Sequence, residues 1–350
     1  MRLFLLAILA AAAPASAQSI TLTVPVTNDR WNYPFNFAAG DEERAPIFAA
    51  LREPGFDDRD STFLLGFATG PAIPAGLGAG RYRVVGARLR VVVSSEPRFA
   101  YDPTFDAATT SYAATDPLHT PDSDAGKPME VFAAGFRNGV TPATYTEATP
   151  YSTVPSFPPQ EGTRSVFPAT YNAAGSATDV SRHVRQRFEA PPLAIGQTDA
   201  TPGQLVPAEA IVTFDLDVDA AGFAAFAGRG LDAGQVVLVV TSLHPATGGP
   251  GGGIGPRIYP EFYAQEAAVA PVLGYIPTLV LAVIISGSTD FDGDGDEGTD
   301  ADIEAFFTVL AGGACPTGAC GSIDFDGDGD EGTDADIEAF FCTLAGGTCG

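Results

Sequence analysis

Residues 81–93 read RYRVVGARLRVVV. In Ala87-Arg88-Leu89-Arg90-Val91 apolar and charged side chains alternate. Successive side chains of a strand point to opposite faces, so this stretch reads as a strand with one face turned inward. Comparable runs occur at 20–26, 62–68, 131–136, 210–218, 235–243, 257–263 and 275–285, separated by clusters of turn residues. Forty Gly and 29 Pro in 350 residues argue against long helices over most of the chain, because both residues interrupt them. Many short strands without helical repeats between them predict an antiparallel sandwich or jelly roll over residues 18–285. The Pro-, Ser- and Gly-rich stretches 141–163 and 245–256 read as long surface loops.

With 45% apolar and 17% charged residues the chain can build real cores. Its formal charge of −25 argues against a nucleic-acid partner, since phosphates would be repelled. At the start, Arg2 precedes an apolar run over 3–13, followed by Ala15-Ser16-Ala17. That is the pattern of a secretory signal peptide over 1–17, and it predicts a secreted or cell-surface protein. The run is too short for a bilayer-spanning helix, which needs about 20 apolar residues. The apolar stretch 269–285 holds Pro271, Gly274 and Pro277 and reads as a buried strand, so no membrane span is expected.

From Ser286 to Gly350 there are 16 acidic residues and no Lys or Arg, and all four cysteines lie there. This compositional step marks a domain boundary near 285. Residues 290–307 read DFDGDGDEGTDADIEAFF, and 324–341 repeat the same 18 residues. In each copy Asp alternates with small residues. Ile303, Phe306, Phe307 and Leu310, then Ile337, Phe340, Phe341 and Leu344, follow at i, i+3, i+4, i+7. Each repeat (290–311 and 324–345) therefore predicts a loop feeding an amphipathic helix. Hard cations such as calcium take six to eight oxygens, which alternating Asp on a tight turn supply. The expected ligands are Asp290, Asp292, Asp294 and Asp296, closed by Asp302 one residue late, and Asp324, Asp326, Asp328, Asp330 and Asp336, for two calcium ions.

Two loop–helix repeats ending in LAGGAC and LAGGTC resemble the GC-type dockerin carried by many secreted bacterial proteins. The resemblance covers 287–350 and implies an all-α calcium-binding module that docks on a cohesin-like or surface receptor. In dockerins the late loop and the helix contact the partner, which by resemblance points to Thr299, Asp300, Thr333 and Asp334. In an oxidising compartment Cys315, Cys320, Cys342 and Cys349 read as two disulfides. Three connectivities are open, and the Pro316-Thr317-Gly318 turn favours local pairs.

Over 57–285, the segments RDSTFLLGF, RYRVVGARLRVVV, DVSRHVRQRF and EFYAQEA resemble jelly rolls of the DNRLRE type, related to carbohydrate-binding modules. Trp31, Tyr33, Phe35 and Phe37 recur at period two; such a row packs into a core or stacks on sugar rings, which marks Trp31 and Tyr33 as ligand candidates. No G-x-S-x-G, H-E-x-x-H or phosphate loop occurs. Asp57, Asp58 and Asp60, and Glu261 and Glu266, read as turns or solvated faces, and His183 as part of an exposed basic patch with Arg182, Arg185 and Arg187. The expectation is an exported, non-catalytic protein that binds glycan or serves as a surface structural element, anchored by its tail. A polysaccharide-degrading enzyme, hydrolase or lyase, on the same β scaffold is the alternative, and a calcium-stiffened spacer without a receptor is a third view.

Overall fold

The computed structural model describes residues 20–38, 40–154, 158–246, 257–318, 320–327 and 330–345. Residues 1–17, expected to be a signal peptide, together with Asp328, Cys349 and most of the 245–256 loop, lie outside the described residues. The chain divides into two compact units, Thr21–Ala282 and Met1–Ile20 with Val283–Gly350, the boundary falling at the start of the first strand and inside the last.

The larger unit is mainly β. One sheet orders β1 (Ile20–Pro25), β13 (Thr278–Ile285), β5 (Tyr82–Val92) and β10 (Ile211–Asp215). A second runs β2 (Asn28–Asn32), β4 (Thr62–Ala68), β11 (Gln235–Ser242), β6 (Met129–Phe136), β7 (Val166–Tyr171) and β8 (Ala177–Asp179), with β9 (Ala194–Ile195) on β6. A short pair joins β3 (Arg44–Pro46) to β12 (Glu261–Tyr263). β10 pairs antiparallel with β5, β11 with both β4 and β6, and β2 with β4. Two antiparallel sheets of this kind are consistent with a β-sandwich.

In β5 Leu89 and Val91 are buried and Arg88 exposed, as the alternation over 87–91 requires, while Tyr82 and Val84 are buried around the exposed Arg83 in the opposite phase. β11 is buried along its whole length, because it runs between β4 and β6 and both its faces are covered. On one face Val237 and Val239 pack with Leu64, Ala134, Val166 and the Tyr145 ring. A Cβ at Gly66 would stand 3.1 Å from that ring and 3.2 Å from the Asn28 carbonyl, so glycine lets the chain around Tyr145 lie close on β4.

Several expectations shift. The strand expected over 257–263 is only β12, and β10 ends at Asp215. The stretch 269–285 is a short helix, α3 (Ala270–Leu273), followed by β13, after α1 (His183–Gln186) and α2 (Phe223–Asp232) earlier in the chain. α2 has no clear sequence signature because Gly228 and Gly230 lower its helix propensity. Packing explains Gly228, where a Cβ would meet the Ala79 carbonyl oxygen at 2.2 Å.

The smaller unit carries α4 (Asp300–Leu310) and α5 (Asp334–Leu344), each entered from its acidic loop. Phe291, Phe306, Phe325 and Phe340 are buried together with Ala305 and Val309, so both copies contribute to one core. The Phe306 and Phe340 rings stack with centroids 4.0 Å apart. No helix among the described residues is long and apolar enough to cross a membrane.

Candidate functional site

Each acidic loop is organised by its own carboxylates. In the first, Asp290 Oδ2 accepts from Gly295 N (3.2 Å), Asp292 Oδ1 from Asp294 N (3.2 Å) and Asp294 Oδ1 from Asp296 N (2.9 Å). These bonds curl the loop so that one oxygen each of Asp290, Asp292 and Asp294 lies within 4.8 Å of the others. In the second copy the group drawn together is Asp324, Asp326 and Asp336. Oδ1 of Asp290 and Oδ1 of Asp324 are buried without a hydrogen-bond partner. A buried carboxylate oxygen left unmatched is costly, so an all-oxygen cluster carrying one suits a metal ion.

Asp302 and Asp336 have a second occupation that the calcium-loop pattern does not indicate. Thr299 and Thr333 cap the two helices, and the third residue of each helix reaches back to them. Asp302 Oδ2 accepts from Thr299 N (2.8 Å) and Thr299 Oγ1 (2.9 Å), and its Oδ1 from Asp292 N (3.2 Å). Asp336 repeats this with Thr333, and its Oδ1 accepts from Phe325 N (2.6 Å) and Asp326 N (3.2 Å). Burial opposes ionisation of both groups, yet these donors outweigh it and hold the two carboxyls below the ordinary Asp range. The T-x-x-D spacing in the sequence carries that signal. Asp296 and Asp330 are exposed.

Among the proposed partner contacts, Thr299 and Thr333 commit their hydroxyls to the caps, whereas Asp300 and Asp334 are exposed at the helix starts. Phe307 and Phe341, 40% and 45% exposed, lie side by side with ring centroids 5.9 Å apart. Cys315 is bonded to Cys320, in keeping with the turn between them, and Cys342 is also disulfide-bonded.

No family model matches this chain, and no curated protein matches it.

In the β-unit the aromatic row does not form one strand face. β2 ends at Asn32; Trp31 stacks on Tyr33, which is buried against Phe48, while Phe37 is 79% exposed. The other expectations are corrected by burial. Asp57, Asp58 and Asp60 are each 1% exposed, with Arg164 2.9 Å from Asp57 and Arg185 2.8 Å from Asp58. Glu261 is buried between Arg44 (3.2 Å) and Arg257 (3.3 Å). His183 is buried beside Arg59, and desolvation with that charge lowers it to about 3. Alternating Asp and Arg have a solvated look in sequence because the partner of each charge comes from a distant segment that only the fold brings to it.

Among the described residues two further acidic clusters occur: Asp102 and Asp106 with Asp124, and, from segments far apart in sequence, Asp29 with Glu147 and Glu266. No local spacing announces either.

Proposed function

We propose that this is an exported protein whose tail is a calcium-dependent, dockerin-like docking module, and whose β-unit is a jelly roll that binds glycan or serves as a structural element without catalysis. The observation that carries the reading is the duplicated loop–helix unit with a buried, unpartnered oxygen at the first Asp of each loop. Carboxylates crowded in this way repel until a cation neutralises them. Calcium fits better than a transition metal because only oxygen donors converge. The exposed carboxylates Asp300 and Asp334 with the Phe307–Phe341 pair offer a protein partner apolar area rimmed by charge. For the β-unit, the clustered acids Asp57, Asp58 and Glu261 are committed to ion pairs with Arg164, Arg185, Arg44 and Arg257, which supports a non-catalytic role.

Hydrogen exchange of the full chain with calcium and with a chelator tests the tail. Protection over 290–345 should fall on chelation, and protection indifferent to calcium would refute the module. Release of reducing ends from a polysaccharide panel would replace the non-catalytic β-unit with the hydrolase or lyase reading.

A further inference from the structure

The β-unit holds a carboxylate cluster with features that its ion-paired acids lack. Asp29 lies on β2, Glu147 follows the short turn Pro142–Thr144, and Glu266 follows β12. One oxygen from each lies within 4.8 Å of the other two. Oxygens on opposite sides of a calcium ion stand about 5 Å apart, twice a bond of roughly 2.3–2.6 Å. The three therefore fit one coordination sphere.

Asp29 is 1% exposed. Its Oδ2 accepts from Gln265 N at 2.8 Å, but its Oδ1 is buried without a partner. Glu147 and Glu266 are the charges acting on it and both repel, although the Glu266 carboxyl also stands within hydrogen-bond reach of Asp29. The adjacent Arg30 does not relieve them, because its guanidinium donates to the Glu147 carbonyl (3.0 Å) and the Thr149 carbonyl. In the cluster of Asp102, Asp106 and Asp124, by contrast, the Lys127 ammonium already stands 2.6 Å from Asp106. Gly40 leaves room beside the first cluster, since a Cβ there would come within 3.0 Å of Glu147 Oε2.

We propose that Asp29, Glu147 and Glu266 form a divalent-cation site that takes calcium. The donors are hard oxygens carrying three formal negative charges, with no nitrogen or sulfur ligand to favour a softer metal. A bound ion would tie together three segments that are far apart in the chain. This site is independent of the tail reading.

Trp31 is the only Trp and follows Asp29 by two positions on β2, which places their Cα atoms about 7 Å apart on one strand face. Residues 283–350 contain neither Trp nor Tyr. Terbium(III) added to the full chain should therefore give Trp-sensitised emission, and calcium should displace it. Glu266→Gln, at a half-buried position, should lower the emission at subsaturating terbium roughly tenfold or more, with Trp fluorescence and the unfolding midpoint reporting an intact fold. Asp29→Asn should do the same. Absence of sensitised emission from the wild-type chain, or its persistence in folded Glu266→Gln, would overturn the site. Either failure leaves the calcium response of the tail amides to be read separately by hydrogen exchange.

Discussion

Asp302→Asn changes no volume and removes one charge, so it isolates what the buried carboxylate does. Asp302 is 0% exposed and its two oxygens face Thr299 N, Thr299 Oγ1, Asp292 N and the Phe291 backbone N–H. An amide keeps one oxygen and turns an NH2 towards a backbone N–H whichever way it flips. A buried N–H left unsatisfied costs about 1–3 kcal/mol, and the lost charge assistance adds to it, giving about 2–4 kcal/mol. A unit of this size commands roughly 3–10 kcal/mol in total, at about 0.05–0.15 kcal/mol per residue. The substitution therefore removes a large share of the stability even with metal chelated. Hydrogen exchange of α4 amides in the chelated full chain should show protection falling roughly 30- to 700-fold, since about 1.4 kcal/mol is tenfold. Protection within about threefold of wild type would show that the carboxylate does not hold the helix start, leaving only a ligand role for Asp302.

Arg164→Ala should destabilise the β-unit by about 3–5 kcal/mol, read as a lowered urea midpoint, because it strands the buried Asp57 carboxylate 2.9 Å away. His244 is buried beside Ser242 and lowered to about 3 by burial and the charge of Lys127. The unfolded chain thus takes its proton first, and stability is lost as pH falls from about 6.5 towards 3. His244→Gln should flatten the stability–pH curve over that window by up to about 1.4 kcal/mol per pH unit, and parallel curves would refute the assignment. Phe307→Ser with Phe341→Ser should change tail stability by less than about 1 kcal/mol, as both rings are half exposed, while weakening capture of a protein partner in calcium.

The strands legible in the sequence are those whose own pattern settles their environment. β5 alternates, and β4 and β11 are apolar runs flanked by turns. β2, by contrast, reads NDRWN, and its burial depends on β4 and on the segment around Glu147 rather than on any internal period. The same divide separates the two kinds of acidic site. The tail loops are written in consecutive residues, so spacing alone exposes them. Asp29, Glu147 and Glu266 meet only because three separate connections converge, and Asp57 and Arg164 find each other for the same reason. Asp302 and Asp336 are legible as acids of the loop, and the T-x-x-D spacing also signals their bonds to Thr299 and Thr333, but that capping signal shares its few residues with the calcium-loop pattern and is easily read as part of it.

The shared core of the tail has a consequence for assembly. Phe306 of one copy stacks on Phe340 of the other, and the two copies are identical over 18 residues. The first half of one chain would therefore find an equally good mate in the second half of another, which is the condition for domain swapping. What opposes it is tether length. Only the residues between Leu310 and Phe325 separate the halves, and the Cys315–Cys320 bond closes part of that span into a loop. A short link keeps the mate in the same chain at a local concentration in the millimolar range, above what neighbouring molecules offer in dilute solution. Shortening this link until the halves can no longer fold back on each other would let the symmetry of the sequence express itself between molecules.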